Sequence, residues 1–127
     1  MFRYALNPRK EKSVHVFGRG LRISRKNSTI VCREVSGKTL PKAITLVEGL
    51  VRGEQNLDGK HYTNAAKEIL QMLKSAENNA EFKGLEAERL IVNASAHQGF
   101  RFLRPRRFKM RRQRRKVTNI QLVLQEM

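Results

Sequence analysis

The apolar residues of this chain change period close to residue 89, and that change limits the folds open to it. Before it, Ala43, Ile44, Val47, Leu50 and Val51 recur at three- and four-residue spacing, and so do Ala66, Ile69, Leu70, Leu73, Ala76 and Ala80. Such spacing puts each set along one face of a helix. After it, Leu90, Val92, Ala94 and Ala96 occupy alternate positions of "LIVNASAH", and Ile120, Leu122 and Leu124 occupy alternate positions of "TNIQLVLQ". Period two belongs to strands with one face buried.

The remaining elements are set by local signals. "SVHVFGRGLRIS", residues 13 to 24, is rich in β-branched and alternating apolar residues and reads as a strand interrupted at Gly18 and Gly20. Ser24 is placed to cap a helix over roughly 25 to 35, with Gly37 ending it. Thr39 and Pro41 open a second helix, Gly53, Asp58 and Gly59 mark a loop, and a third helix runs from near Thr63 to Gly84. At 127 residues the chain supports one domain and one core. The expected class is α+β, three helices packed on a small antiparallel sheet.

Between the last two strands lies "RFLRPRRFKMRRQRRK", residues 101 to 116, with ten cations and no acid. Strands on either side of such a run make an antiparallel hairpin, so the run is its far end, a long protruding β-hairpin over 89–127 with the tip at about 104–115. With about ten residues per arm at roughly 3.3 Å each, the finger would reach on the order of 30 Å.

Charge indicates the partner. The net charge is +16 at pH 7. Residues 1–26 hold eight basic residues and one acid, 27–88 eight and nine, and 89–127 eleven and one. A near-neutral helical body thus carries two basic wings, and a folded polycation of this kind needs a polyanion. Nucleic acid fits, through release of counterions from phosphates. RNA is favoured over DNA because eight of the ten hairpin cations are Arg, which pairs bidentately with phosphate and stacks on bases, and Phe102, Phe108 and Met110 can meet exposed bases or sugars. No helix-turn-helix or zinc-finger signature is present. The expected RNA contacts are Arg19, Arg22, Arg25 and Lys26 on the first wing. On the second they are Arg101, Arg104, Arg106, Arg107, Lys109, Arg111, Arg112, Arg114, Arg115 and Lys116.

Other function classes lose their support residue by residue. "SGKT" at 36–39 lacks the upstream glycine of a phosphate loop, since Cys32 stands there, and it reads as a helix terminus. "GRG" at 18–20 lacks the third glycine of a dinucleotide motif. His15, His61 and His97 have no metal-ligand spacing, and the acids form no identifiable acid–base pair, so neither enzyme nor cofactor is expected. The one cysteine, Cys32, sits among Ile30, Val31 and Val35 and reads as core. Neither a signal-like start nor a membrane-length apolar run is evident, which suggests a cytoplasmic protein without membrane insertion. A free RNA-binding or RNA-chaperone module shares the basic surface, but a long finger gains it nothing without a deep RNA cavity to enter.

Several segments, in order, resemble one family: "LRIS" at 21–24, "CRE" with Gly37 after it, "LPKA" at 40–43, "NAAKEIL" at 64–70, "SAENNAEFKGL" at 75–85, "ASAHQGFRFLRPR" and "KVTNIQLVL". Over most of its length the chain is similar to the universal large-subunit ribosomal protein twenty-two family, called seventeen in eukaryotes, on its archaeal and eukaryotic side. The resemblance implies a structural constituent of the large ribosomal subunit that binds large-subunit ribosomal RNA and neighbouring ribosomal proteins. It implies a hairpin lining the nascent-chain exit tunnel, and no homo-oligomer. Arg104, Pro105 and Arg106 fall on the family's Arg-Pro-Arg segment, so that Arg104, Pro105, Arg106, Arg107, Phe108 and Met110 become the tip that meets the nascent polypeptide. Arg107, Lys109 and Met110 stand where the family commonly has Ala, Gly and Arg, and Asn119 where a His is frequent. The loop from Gly53 to Tyr62 is shorter than in many archaeal relatives.

Overall fold

The computed structural model describes residues 4–105 and 107–127, so Arg106, expected at the tip and on RNA, lies outside the described residues. Strand β1 (Ser13–Leu21) is followed by helices α1 (Arg25–Val35), α2 (Leu40–Arg52) and α3 (Thr63–Phe82), and then by strands β2 (Leu90–Gln98) and β3 (Thr118–Glu126). The strands form one antiparallel sheet in the order β1-β3-β2. This is the α+β arrangement that the periodicity predicts.

Alternation decides which sheet face carries the helices. Val14, Leu124 and Val92 lie side by side across the three strands, and Val16, Leu122 and Ala94 form the next row. Together with Leu90 and Ile120 they meet Val31, Val35, Val47, Ile69 and Leu73 in one core. Each fully buried Leu or Ile here contributes roughly 1.5–3 kcal/mol relative to exposure. Cys32 is buried with them, and burial pushes its thiol up to about 12, which makes it inert packing as the sequence suggests.

The helix ends differ in detail from their sequence signals. Ser24 does precede α1, but its hydroxyl makes no capping bond; its carbonyl accepts from the Ser28 N–H at 3.0 Å and the Ser28 hydroxyl at 2.7 Å. Gly53 ends α2 in the left-handed conformation at φ 79°, where a side chain would be strained. "SGKT" is the α1–α2 connection, stapled to β2: Gly37 N–H donates to the Val92 carbonyl at 2.8 Å and the Ser36 hydroxyl to the Ala94 carbonyl at 3.0 Å.

The outer sheet face holds a feature that the alternation does not announce. Val123 points away from the helices yet is buried, because residues 4–6 run across this face. Tyr4 packs at a tilt 4.7 Å from His15 and edge to face 6.3 Å from Phe17, and the Ala5 N–H donates to Gln121 Oε1 at 3.3 Å. The start of the basic N-terminal wing therefore serves the fold by covering β1 and β3.

Candidate nucleic-acid interface

The basic residues converge because of one irregularity in β1. Gly18 pairs with Ile120 but Leu21 pairs with Thr118, so Arg19 and Gly20 together face the single residue Asn119. Such a bulge bends the strand and re-aims the residues beyond it. Arg22 emerges from it, and Arg25 and Lys26 begin α1 directly afterwards; all three are exposed, as is Arg19.

Past the regular sheet, the β2 and β3 arms stay paired. The Gly99 N–H donates to Val117 at 2.9 Å, Arg115 to Phe102 at 2.7 Å and Arg104 to Gln113 at 3.1 Å, with a bridge between Leu103 and Arg114. The pairing slips by one residue between Gly99 and Leu103. The chain then turns through a 3-10 turn at Phe108–Met110 and through Arg112, which takes the left-handed conformation at φ 60°. Arg104, at the near edge of the expected tip, pairs with Gln113 where the arms end.

Aromatic side chains lock the arms to the bulge. A Cβ on Gly20 would stand 2.8 Å from the Phe100 ring, so that ring rests on the glycine's bare backbone. Phe100 meets Phe102 edge to face at 6.4 Å. The guanidiniums of Arg22 and Arg115 lie 5.5 and 5.2 Å from the Phe102 centroid, each cation attracted by the ring. Phe102, which the sequence offers to bases or sugars, is 42% exposed and lies between these two arginines. Phe108, 90% exposed, remains open at the tip, while Met110 is half-buried.

Three of the predicted hairpin cations and one from the first wing share a single cleft. Arg22, Arg104, Arg115 and Lys116 line a cavity of about 560 Å³ together with Tyr62, Thr63, Asn64 and Ala65 at the start of α3. A second hollow brings Arg25 and Lys26 beside Arg114, Arg115 and Lys116. Arg111 and Arg112 line a third, within the turn, with Pro105. Arg19, Arg101, Arg107 and Lys109 are exposed outside these hollows. The contribution of α3 escapes a reading of the sequence, although the Thr63 start of "TNAAKEIL" is its signal, because a helix start tells nothing of what it faces.

Among the described residues, no carboxylate lines these three hollows. The ion pairs Lys74–Glu48 at 3.4 Å and Arg89–Glu86 at 2.8 Å both lie elsewhere, on the helical body and before β2. Like charges gathered without acids favour an anion from outside. The histidines take other roles: His61 Nδ1 meets the Gln55 carbonyl at 2.7 Å, His97 Nε2 meets Asn119 Nδ2 at 3.3 Å, and His15 packs under Tyr4.

Along nearly its whole length the chain is similar to known proteins. A protein named large ribosomal subunit protein uL22 from Methanococcus aeolicus is 30% identical over 97% of this chain and 95% of its own length. Proteins of the same name from Methanococcus maripaludis strain C5 and Methanocaldococcus jannaschii are 33% and 29% identical, each over 98% of this chain and 96% and 94% of their own lengths. The family described as ribosomal protein L22p/L17e matches residues 16–125, which takes in all three helices, nearly all of the three strands and the basic hairpin. By that match, and by its archaeal relatives, the chain belongs to the ribosomal protein L22p/L17e family, a class of structural rather than enzymatic proteins.

Proposed function

We propose that the protein is a structural constituent of the large ribosomal subunit, binding large-subunit ribosomal RNA and lining the nascent-chain exit tunnel with its β-hairpin. The observation that carries this reading is the meeting of cations from the first wing and from the hairpin arms in hollows without a carboxylate. Backbone phosphates neutralise such a surface, and phosphate contacts fix position with little reading of base sequence. The exposed turn, with Phe108 at its end, would project beyond these contacts towards the tunnel and the passing polypeptide. Its partners are then ribosomal RNA, neighbouring large-subunit proteins and the nascent chain.

The test is sedimentation of the tagged protein from cell extract. It should travel stoichiometrically with large subunits in moderate salt and leave that fraction after ribonuclease digestion. A free RNA-binding module would instead spread over many light RNAs, and that distribution would displace the ribosomal reading.

A further inference from the structure

The sheet loses a strand where the hairpin leaves the body. β1 makes its last pair between Leu21 and Thr118, and β2 its last between Gln98 and the same Thr118. Beyond them only the two arms remain, and a two-stranded ribbon twists and bends more freely than a three-stranded sheet. The one-residue slip between the Gly99–Val117 and Leu103–Arg114 pairings falls in this stretch and adds a second place to bend. By its backbone alone the ribbon would swing at its base.

Two aromatic contacts cross that soft point. Phe100 belongs to the β2 arm and Gly20 to β1, and the order β1-β3-β2 puts the central strand between them. The Phe100 ring nevertheless reaches Gly20, coming within 2.8 Å of where a Cβ would stand. It thereby ties the far edge strand to the ribbon. Phe102, further along the same arm, meets Arg22, which follows β1, and Arg115 of the opposite arm, at 5.5 and 5.2 Å from its centroid. The edge-to-face contact of the two phenylalanines at 6.4 Å joins both ties into one. Phe100 itself is exposed and lies outside the hydrophobic core, so these contacts are not packing of the body.

We propose that Phe100 is a positioning residue: seated on Gly20 and braced through Phe102 on Arg22, it sets the direction of the hairpin relative to the helical body before any RNA is bound. The clasp stands on these contacts alone; its use, to present the turn already aligned to a narrow cavity, rests on the ribosomal reading above. A finger aimed in advance docks without an orientational search and loses less freedom than a swinging one. Glycine at position 20 follows from the same geometry, because a side chain there removes the seat.

The experiment measures the direction of the hairpin in the full-length protein without nucleic acid. Nitroxide labels on Lys109→Cys in the turn and Asn78→Cys on α3, both at exposed positions, give the distance between tip and body by pulsed electron spin resonance. Cys32 is buried with its thiol pushed up to about 12, so it escapes labelling. One narrow distance distribution is expected. Adding Phe100→Ala should roughly double its width, since the ribbon is then left to its own two strands. Phe100→Tyr, which keeps the ring, should leave it narrow, and Arg22→Gln should widen it. The thermal midpoint of Phe100→Ala should stay close to that of the labelled parent, which separates a loosened hairpin from a damaged body. A broad distribution in the parent, no widening in Phe100→Ala, or equal widening in Phe100→Tyr would overturn the clasp. Widening in Phe100→Ala with a large fall in thermal midpoint, and none in Arg22→Gln, would mean a damaged body and overturn it as well. These distances involve no RNA, so the ribosomal reading stands or falls separately by sedimentation. Association of Phe100→Ala with large-subunit ribosomal RNA should be slower by roughly tenfold with dissociation unchanged, and an equal association rate would overturn the use of the clasp in docking.

Discussion

The side-chain oxygen of Asn119, on the central strand, accepts the backbone N–H of Gly20 at 2.9 Å. This bond closes the β1 bulge from the opposite strand. It satisfies the donor that the register slip removes from the ladder, in a part of the sheet where Gly20 adopts φ 68°. Bulge, glycine and asparagine together direct Arg22 towards Phe102 and give Phe100 a flat seat, so a local defect in pairing sets the geometry of the whole basic junction.

Gly20→Ala should therefore be costly on two counts, the left-handed backbone and a contact at 2.8 Å with the Phe100 ring. A loss of about 1–3 kcal/mol is expected from strain of this kind. Asn119→Ala should lose about 1 kcal/mol, the net value of one hydrogen bond. Urea denaturation of both variants checks the order. An unchanged midpoint in Gly20→Ala would mean that the bulge is not held in this form.

Core and tip should separate cleanly in stability. Leu73 is fully buried in α3, and Leu73→Ala should cost about 2–5 kcal/mol. Arg112 is exposed within the turn, and Arg112→Ala should stay within about 0.5 kcal/mol of wild type. Thermal unfolding of the free protein measures both. Equal destabilisation would place the basic turn in the core.

Acid should weaken the fold through His15. Burial holds its pKa below the usual 6.5, helped by the Lys83 ammonium, while a hydrogen bond with the Leu6 backbone acts the other way; its Nε2 is buried without a partner among the described residues. Between the folded value and 6.5 the unfolded chain binds a proton that the folded chain does not. Stability thus rises with pH through that window, is complete above it, and is lost as pH falls. The denaturation midpoint should drop as pH falls through 6.5, with a smaller slope in His15→Gln. Parallel slopes would remove His15 from the account.

Shortening the hairpin tests its independence from the body. Since the Arg104 N–H bonds to Gln113 at 3.1 Å, these residues are already neighbours, and the eight positions between them can be replaced by Asn-Gly, a two-residue turn. The variant should fold and still enter large subunits, because the cleft and the first wing remain. Chemical probing should then differ only around the missing turn. Failure to assemble would mean that the turn itself anchors the protein.

Helices and strands are readable because each buries one face and so repeats its apolar residues at its own period. The hairpin is readable because two strand patterns enclose ten cations. What escapes depends on distant segments meeting. Met72 is buried because Gly18 leaves room for its sulfur, 2.8 Å from where a Cβ would stand, and neither residue reveals the other. Val123 is buried by residues 4–6, which no alternation in β3 could announce. That Arg22 lies over the Phe102 ring depends on the bulge, which neither residue announces. Arg104 lines the cleft beside the α3 start, a neighbourhood that the sequence around it does not reveal.

Whether the turn lines the exit tunnel is tested most directly by a cysteine at its end. Cys32 is buried with its thiol pushed up to about 12, so it is silent to thiol reagents, and Phe108 is 90% exposed. Ribosomes carrying Phe108→Cys, stalled with a nascent chain bearing a thiol-reactive group along its length, should give a crosslink between the protein and the chain. Phe82→Cys, 94% exposed at the end of α3, should give none. A crosslink from position 82 but not from 108, or from neither position, would contradict a hairpin that lines the tunnel.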